Sequence, residues 1–114
     1  IFINKKEMVM AKAIIDSGIC GFITEVKTTK GEKGKIKVDI KTDCPNYKKV
    51  ALEYFEVDPF KEVLVRVGKT LICELSTKYS PHPCCPIPSG ILKAIEVEAG
   101  LALPKDVSIK IEKD

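Results

Sequence analysis

The chain has 114 residues, 45% of them hydrophobic, which is one domain's worth of sequence (1–114) with enough apolar material for a core. The net charge is +3 and the lysines are interspersed with acids, there is no tryptophan, and only 6% of residues are aromatic. That excludes a basic patch or base-stacking platform for nucleic acid, and no apolar run approaches the roughly 18 residues needed to span a bilayer.

Residues 1–10 carry Lys5, Lys6 and Glu7 with no long apolar stretch after them, so they do not read as a secretion signal. Residues 1–8 read as a short tail or an expression remnant. The first strand is predicted near 9–16, with Asp16-Ser17-Gly18 as its turn. A second covers about 21–29, with Phe22, Thr24 and Val26 on one face. A glycine-containing hairpin loop follows at 30–34. The third strand, 35–42, points Ile36, Val38 and Ile40 one way and lysines with Asp39 the other. Together these make a three-stranded antiparallel meander with one solvated face.

The period then becomes helical. Thr42 or Asp43 is predicted to cap a helix running to about Phe55, with Pro45 tolerated in its first turn and Tyr47, Val50, Ala51 and Tyr54 sharing a face. Asp58-Pro59 starts a short helix over about 59–65, and Thr70 caps another over about 71–79, with Cys73 placed in the core. Residues 79–88 hold prolines and read as irregular. A last helix runs to about Ala99 on a stripe of Ile91, Leu92, Ile95 and Ala99, and Gly100 ends it. Residues 105–113 alternate Val107, Ile109 and Ile111 with polar residues and read as a C-terminal strand, available to the sheet edge or to a second subunit. The sum is an α+β fold: three strands, three or four helices, and a closing strand.

Five cysteines without a secretion signal point to metal binding or thiol chemistry in the cytoplasm rather than to a disulfide frame. Cys20 precedes Gly21 at a turn. Cys44 opens the first helix, between Asp43 and Pro45. Cys84 and Cys85 sit between Pro83 and Pro86 ahead of the last helix, with the single histidine, His82, two residues before Cys84. Helix N-termini present unpaired N–H groups and partial positive charge, which favour the thiolate that binds metal. Flanking prolines stiffen the loops. The candidate ligands are Cys20, Cys44, Cys84, Cys85 and His82, supported by Gly21, Asp43, Pro45, Pro83 and Pro86. There is no C-x-x-C pair, so neither a zinc ribbon nor a thioredoxin motif is present.

These positions resemble the IscU/NifU-type iron–sulfur scaffold proteins, and also small cysteine-containing domains of anaerobic archaea and bacteria. The resemblance covers about 20–100. It rests on Cys20-Gly21, then Lys41-Thr42-Asp43-Cys44, then Cys84 ahead of Ile91-Leu92-Lys93-Ala94-Ile95, with the cysteines separated by 24 and 40 residues (20 to 44, 44 to 84). It implies a scaffold-like fold and a site built from Cys20, Cys44 and Cys84. The chain departs from the scaffold pattern at Phe22, where the scaffolds carry aspartate. It departs again at Pro83, where they carry histidine, and in the extra thiol of Cys85. The scaffolds' Leu-Pro-Pro-Val-Lys segment is absent. A stable site, a specialised carrier or a sensor fits these departures better than a housekeeping scaffold.

Three functions follow as expectations. The first is a module holding an iron–sulfur cluster or zinc, between which sulfur ligands do not choose, and which exposure to oxygen during purification would strip. The second is a thiol redox or sulfur-carrier protein using Cys84 and Cys85. The third is a structural or interaction domain, with a protein partner or a homodimer. No Ser-His-acid set or carboxylate pair suggests hydrolysis.

Overall fold

Period-2 alternation writes the first three strands, and burial follows it. The computed structural model describes residues 10–53 and 56–114. Strands β1 (Ala11–Asp16), β2 (Ile23–Lys30) and β3 (Ile36–Thr42) form an antiparallel meander. Thr24, Val26 and Thr28 of β2 and Ile36, Val38 and Ile40 of β3 are buried, while the alternate residues face outward. A 3-10 turn, Gly18–Cys20, joins β1 to β2. Gly21 ends that turn at φ 77°, a left-handed conformation that glycine adopts without steric penalty.

Helix α1 spans Pro45–Leu52, shorter than predicted. Its N-cap is Cys44 rather than Thr42 or Asp43. Thr42 helps from one step back: its hydroxyl accepts from the Cys44 N–H at 3.1 Å and lies 2.7 Å from the hydroxyl of Thr24. Tyr47 and Val50 are buried as expected, but Ala51 is exposed, and Tyr54 and Phe55 lie outside the described residues. The helix stops because the chain is needed as a fourth strand, β4 (Glu56–Val57), which pairs with Ile36 and Lys37 and buries Val57. The sheet order is β1-β2-β3-β4.

Helices α2 (Pro59–Val63) and α3 (Leu71–Tyr79) start where their caps predict. Asp58 accepts from Phe60 N–H at 3.0 Å, and Thr70 accepts from Cys73 N–H at 2.9 Å. The two are tied by Glu62, an acid buried to 6% exposure, whose oxygens accept from the Leu71 and Ile72 N–H groups at 2.8 and 3.0 Å. The α3 N-terminus thus receives both a hydroxyl cap and a carboxylate. Cys73 is not in the core. Ile72 and Leu75 take the inward face of α3, and Cys73 is half-buried beside a groove.

Helix α4 (Ile87–Glu98) takes Pro88 into its first turn, so the irregular stretch ends earlier than predicted. It lies across the inner face of β1 and β2, burying Ile87, Ile91, Ala94 and Ile95, with Leu92 and Ala99 half-buried. Gly90 makes the close approach possible, because a Cβ there would run into the Ile15 side chain. At its far end Glu98 is buried; its Oε1 accepts from Ala11 N–H at 2.7 Å and from the Thr28 hydroxyl at 3.0 Å.

The predicted C-terminal strand does not form. After Gly100 the chain makes no ladder, and residues 103–114 are exposed throughout. Alternation alone supplies no partner: β4 has taken the place beside β3, and the arm pairs with no strand. Among the described residues the outcome is an α+β fold of four antiparallel strands with four α-helices. No helix among the described residues is long and apolar enough to cross a membrane.

Candidate functional site

Three junctions between elements bring the thiols to one neighbourhood. Cys20 ends the 3-10 turn and is exposed, with its sulfur 3.9 Å from the Ser17 carbonyl oxygen. Cys44 is buried at the start of α1, its extended backbone placing it between the end of β3 and the helix. Cys85 is half-buried immediately before α4, its N–H donating to the His82 carbonyl at 3.2 Å and its sulfur accepting from the Ile87 N–H. Two of the three cysteines therefore sit at helix starts, as the sequence suggests.

Tyr47 joins them from below. Its ring is buried to 1% exposure, and its hydroxyl donates to the Ser76 hydroxyl of α3 at 3.1 Å. It also reaches the Cys85 sulfur and Ser80. The Cys85 thiol is pushed above its ordinary range, chiefly by burial. The Ile87 N–H opposes this, the Cys44 and Cys20 sulfurs add to it, and the Tyr47 hydroxyl opposes it again. Burial likewise raises Tyr47, with Ser76 opposing and Cys85 and Cys44 adding. The Cys44 sulfur acts on both Cys85 and Tyr47, and the Cys20 sulfur acts on Cys85, so these side chains lie within electrostatic reach of Cys85.

The remaining predicted residues lie outward. Cys84 and His82 are exposed on the proline-rich loop, and the His82 N–H donates to Ser80 at 3.4 Å. Asp43, Pro45 and Pro83 are exposed and Pro86 is half-buried as the residue before α4. Cys44 and Cys20 act on the half-buried Cys85, whereas its neighbour Cys84 faces outward. Among the described residues no group of three or more Cys, His, Asp or Glu side chains is close enough to hold a metal ion. A groove of about 330 Å³ between α2, α3 and α4, lined by Glu62, Arg66, Cys73 and Lys93 among others, contains none of the clustered thiols.

Tyr47 and Ser76 are site residues that the cysteine pattern does not reveal. The available signal was Tyr47 on the buried stripe of a helix, because a buried tyrosine hydroxyl needs a partner.

No curated protein and no solved structure matches this chain. Residues 11–111 match a family described as "Family of unknown function (DUF6951)", and the chain belongs to that family.

Proposed function

We propose that this domain binds a thiophilic centre, zinc or an iron–sulfur cluster, through Cys20, Cys44 and Cys85. The observation that carries the reading is that Cys44 and Cys20, from distant parts of the chain, both lie within electrostatic reach of Cys85, with Cys44 and Cys85 at helix starts beside the buried Tyr47. The donor set fits chemically, since thiolates suit both zinc and iron–sulfur centres. Cys84 and His82, on the same loop as Cys85, supply candidates for a fourth ligand. The bound centre would supply positive charge that stabilises three thiolates together. The chain's own part is to exclude water around Cys44, to donate the Ile87 N–H to the Cys85 sulfur, to keep the Tyr47 hydroxyl beside that sulfur, and to hold Cys20 at the rim.

The order of elements supports a finer reading of the fold as IscU/NifU-like: a meander, a cysteine at a helix start, then a cysteine ahead of the last helix. Five unpaired cysteines support a reducing compartment, the cytoplasm. A second reading, a redox or sulfur-carrier pair at Cys84 and Cys85, is favoured by the exposure of Cys84 beside a half-buried neighbour.

The test is metal and acid-labile sulfide analysis of protein purified without oxygen. Metal near stoichiometry that disappears in Cys44→Ser and Cys85→Ser but survives in Cys84→Ser is the expected result. Protein free of metal and sulfide, in which Cys84 is alkylated faster than the equally exposed Cys20, sinks the metal reading in favour of the thiol pair.

A further inference from the structure

The strongest unexplained feature lies away from the thiols. The C-terminal arm repeats the pattern of a half-buried strand, yet Val107, Ile109 and Ile111 are 67%, 79% and 87% exposed. The family match extends through residue 111, so this alternation belongs to the unit the family shares. At the other side of the molecule β1 is the last strand of the sheet, and its outer edge is uncovered among the described residues. Beyond Ala11, whose N–H is taken by Glu98, residues 12–16 of that edge are a template for one more strand. Beside it, Ile14 and Ile23 form an apolar spot on the outer face of the sheet, 64% and 50% exposed.

We propose that two copies of this chain exchange their C-terminal arms, residues 105–112 of each pairing as an added strand along the outer edge of β1 of the other. The end of α4 from which the arm departs is tied to β1 by the Glu98–Ala11 bond, yet residues 103–114 are exposed throughout and join no strand. An acceptor within close range is thus left for another molecule. The arm's charges suit a twin: Lys105, Lys110 and Lys113 are balanced by Asp106, Glu112 and Asp114, so two arms do not repel and neither resembles a polybasic segment. Its residues 105–112 are long enough to cover residues 12–16 of β1. Each copy carries both the donor and the acceptor, so a reciprocal exchange closes on itself as a two-fold dimer. The added strand gives main-chain hydrogen bonds to the edge, and apolar side chains at alternate positions give it register.

The test uses the full chain under reducing conditions, so that no intermolecular disulfide contributes. Sedimentation should give twice the chain mass. The pair Ile109→Glu with Ile111→Glu should raise the dimer dissociation constant at least about tenfold, as loss of one buried isoleucine would. It should leave the thermal midpoint of the diluted, monomeric body unchanged. In a mixture of isotope-labelled and unlabelled protein, contacts should run from the Ile109 methyl of one molecule to the β1 amides of the other. A monomer whose arm contacts only its own β1, a dimer indifferent to the double substitution, or an arm that responds only to phosphatidylcholine vesicles each overturns the proposal.

Discussion

Strand β3 and the C-terminal arm carry the same code and meet opposite fates. Ile36, Val38 and Ile40 alternate with lysines and Asp39 and are 2%, 8% and 7% exposed. Val107, Ile109 and Ile111 alternate with polar residues in the same way and are almost wholly exposed. The difference is neighbours. β3 has β2 on one side, β4 on the other and α1 against its inner face. The arm follows the last helix, when the inner face of the sheet is already covered. Alternation specifies a surface ready to be half-buried; the remainder of the chain decides whether anything buries it.

The sharpest way to break that comparison is one truncation in each region. Ile36→Ala removes a side chain packed between Val57 and the core and should cost about 2–5 kcal/mol in denaturant unfolding. Ile109→Ala, measured on monomer, should change unfolding by less than about 0.5 kcal/mol. Equal effects from the two would show that the arm is packed in solution.

A smaller effect asks whether a polar contact separates the regions as strongly as an apolar one. Glu62→Ala strips two backbone N–H groups of their acceptor and should destabilise by about 2–3 kcal/mol, read again by denaturant unfolding. No arm acid has such partners, and Glu112→Ala should be neutral within about 0.5 kcal/mol.

The smallest effect belongs to the thiols. With its folded value raised, Cys85 holds its proton more tightly in the folded than in the unfolded chain. The stability this gives the metal-free protein is complete below the ordinary thiol range and is lost as pH rises through the folded value. The pH midpoint of Cys85 alkylation should therefore lie above that of a free thiol. Tyr47→Phe, which deletes a hydroxyl that favours the thiolate, should move it further up. A midpoint at the free-thiol value would remove Cys85 from the buried cluster.

The legible parts of this molecule are those where a local rule acts alone. Strand alternation and the Asp58 and Thr70 caps place β1 to β3, α2 and α3 within a few residues. The rest turns on tertiary competition. The two-residue β4 is too short to leave a period, and it ends α1 early. Glu62 and Glu98 carry no local signal of burial, yet they are buried, because backbone N–H groups meet them in the folded chain. Cys84 and Cys85 are adjacent in sequence, and only the packing of the loop against Tyr47 turns one inward and the other out. Cys73 looked apolar in its segment, yet the helical period of α3 turned it toward the groove.

The hydrogen bond from Ala11 N–H to Glu98 bridges 87 positions of sequence. A ribosome delivers the first strand early and the carboxylate that receives its amide near the end of synthesis. The helix that covers β1 and β2 arrives with that same carboxylate. The part of the nascent meander's apolar face formed by β1 and β2 stays uncovered until α4 emerges, so the body is expected to settle in one late step, after most of the chain has been made, and not strand by strand as each is translated.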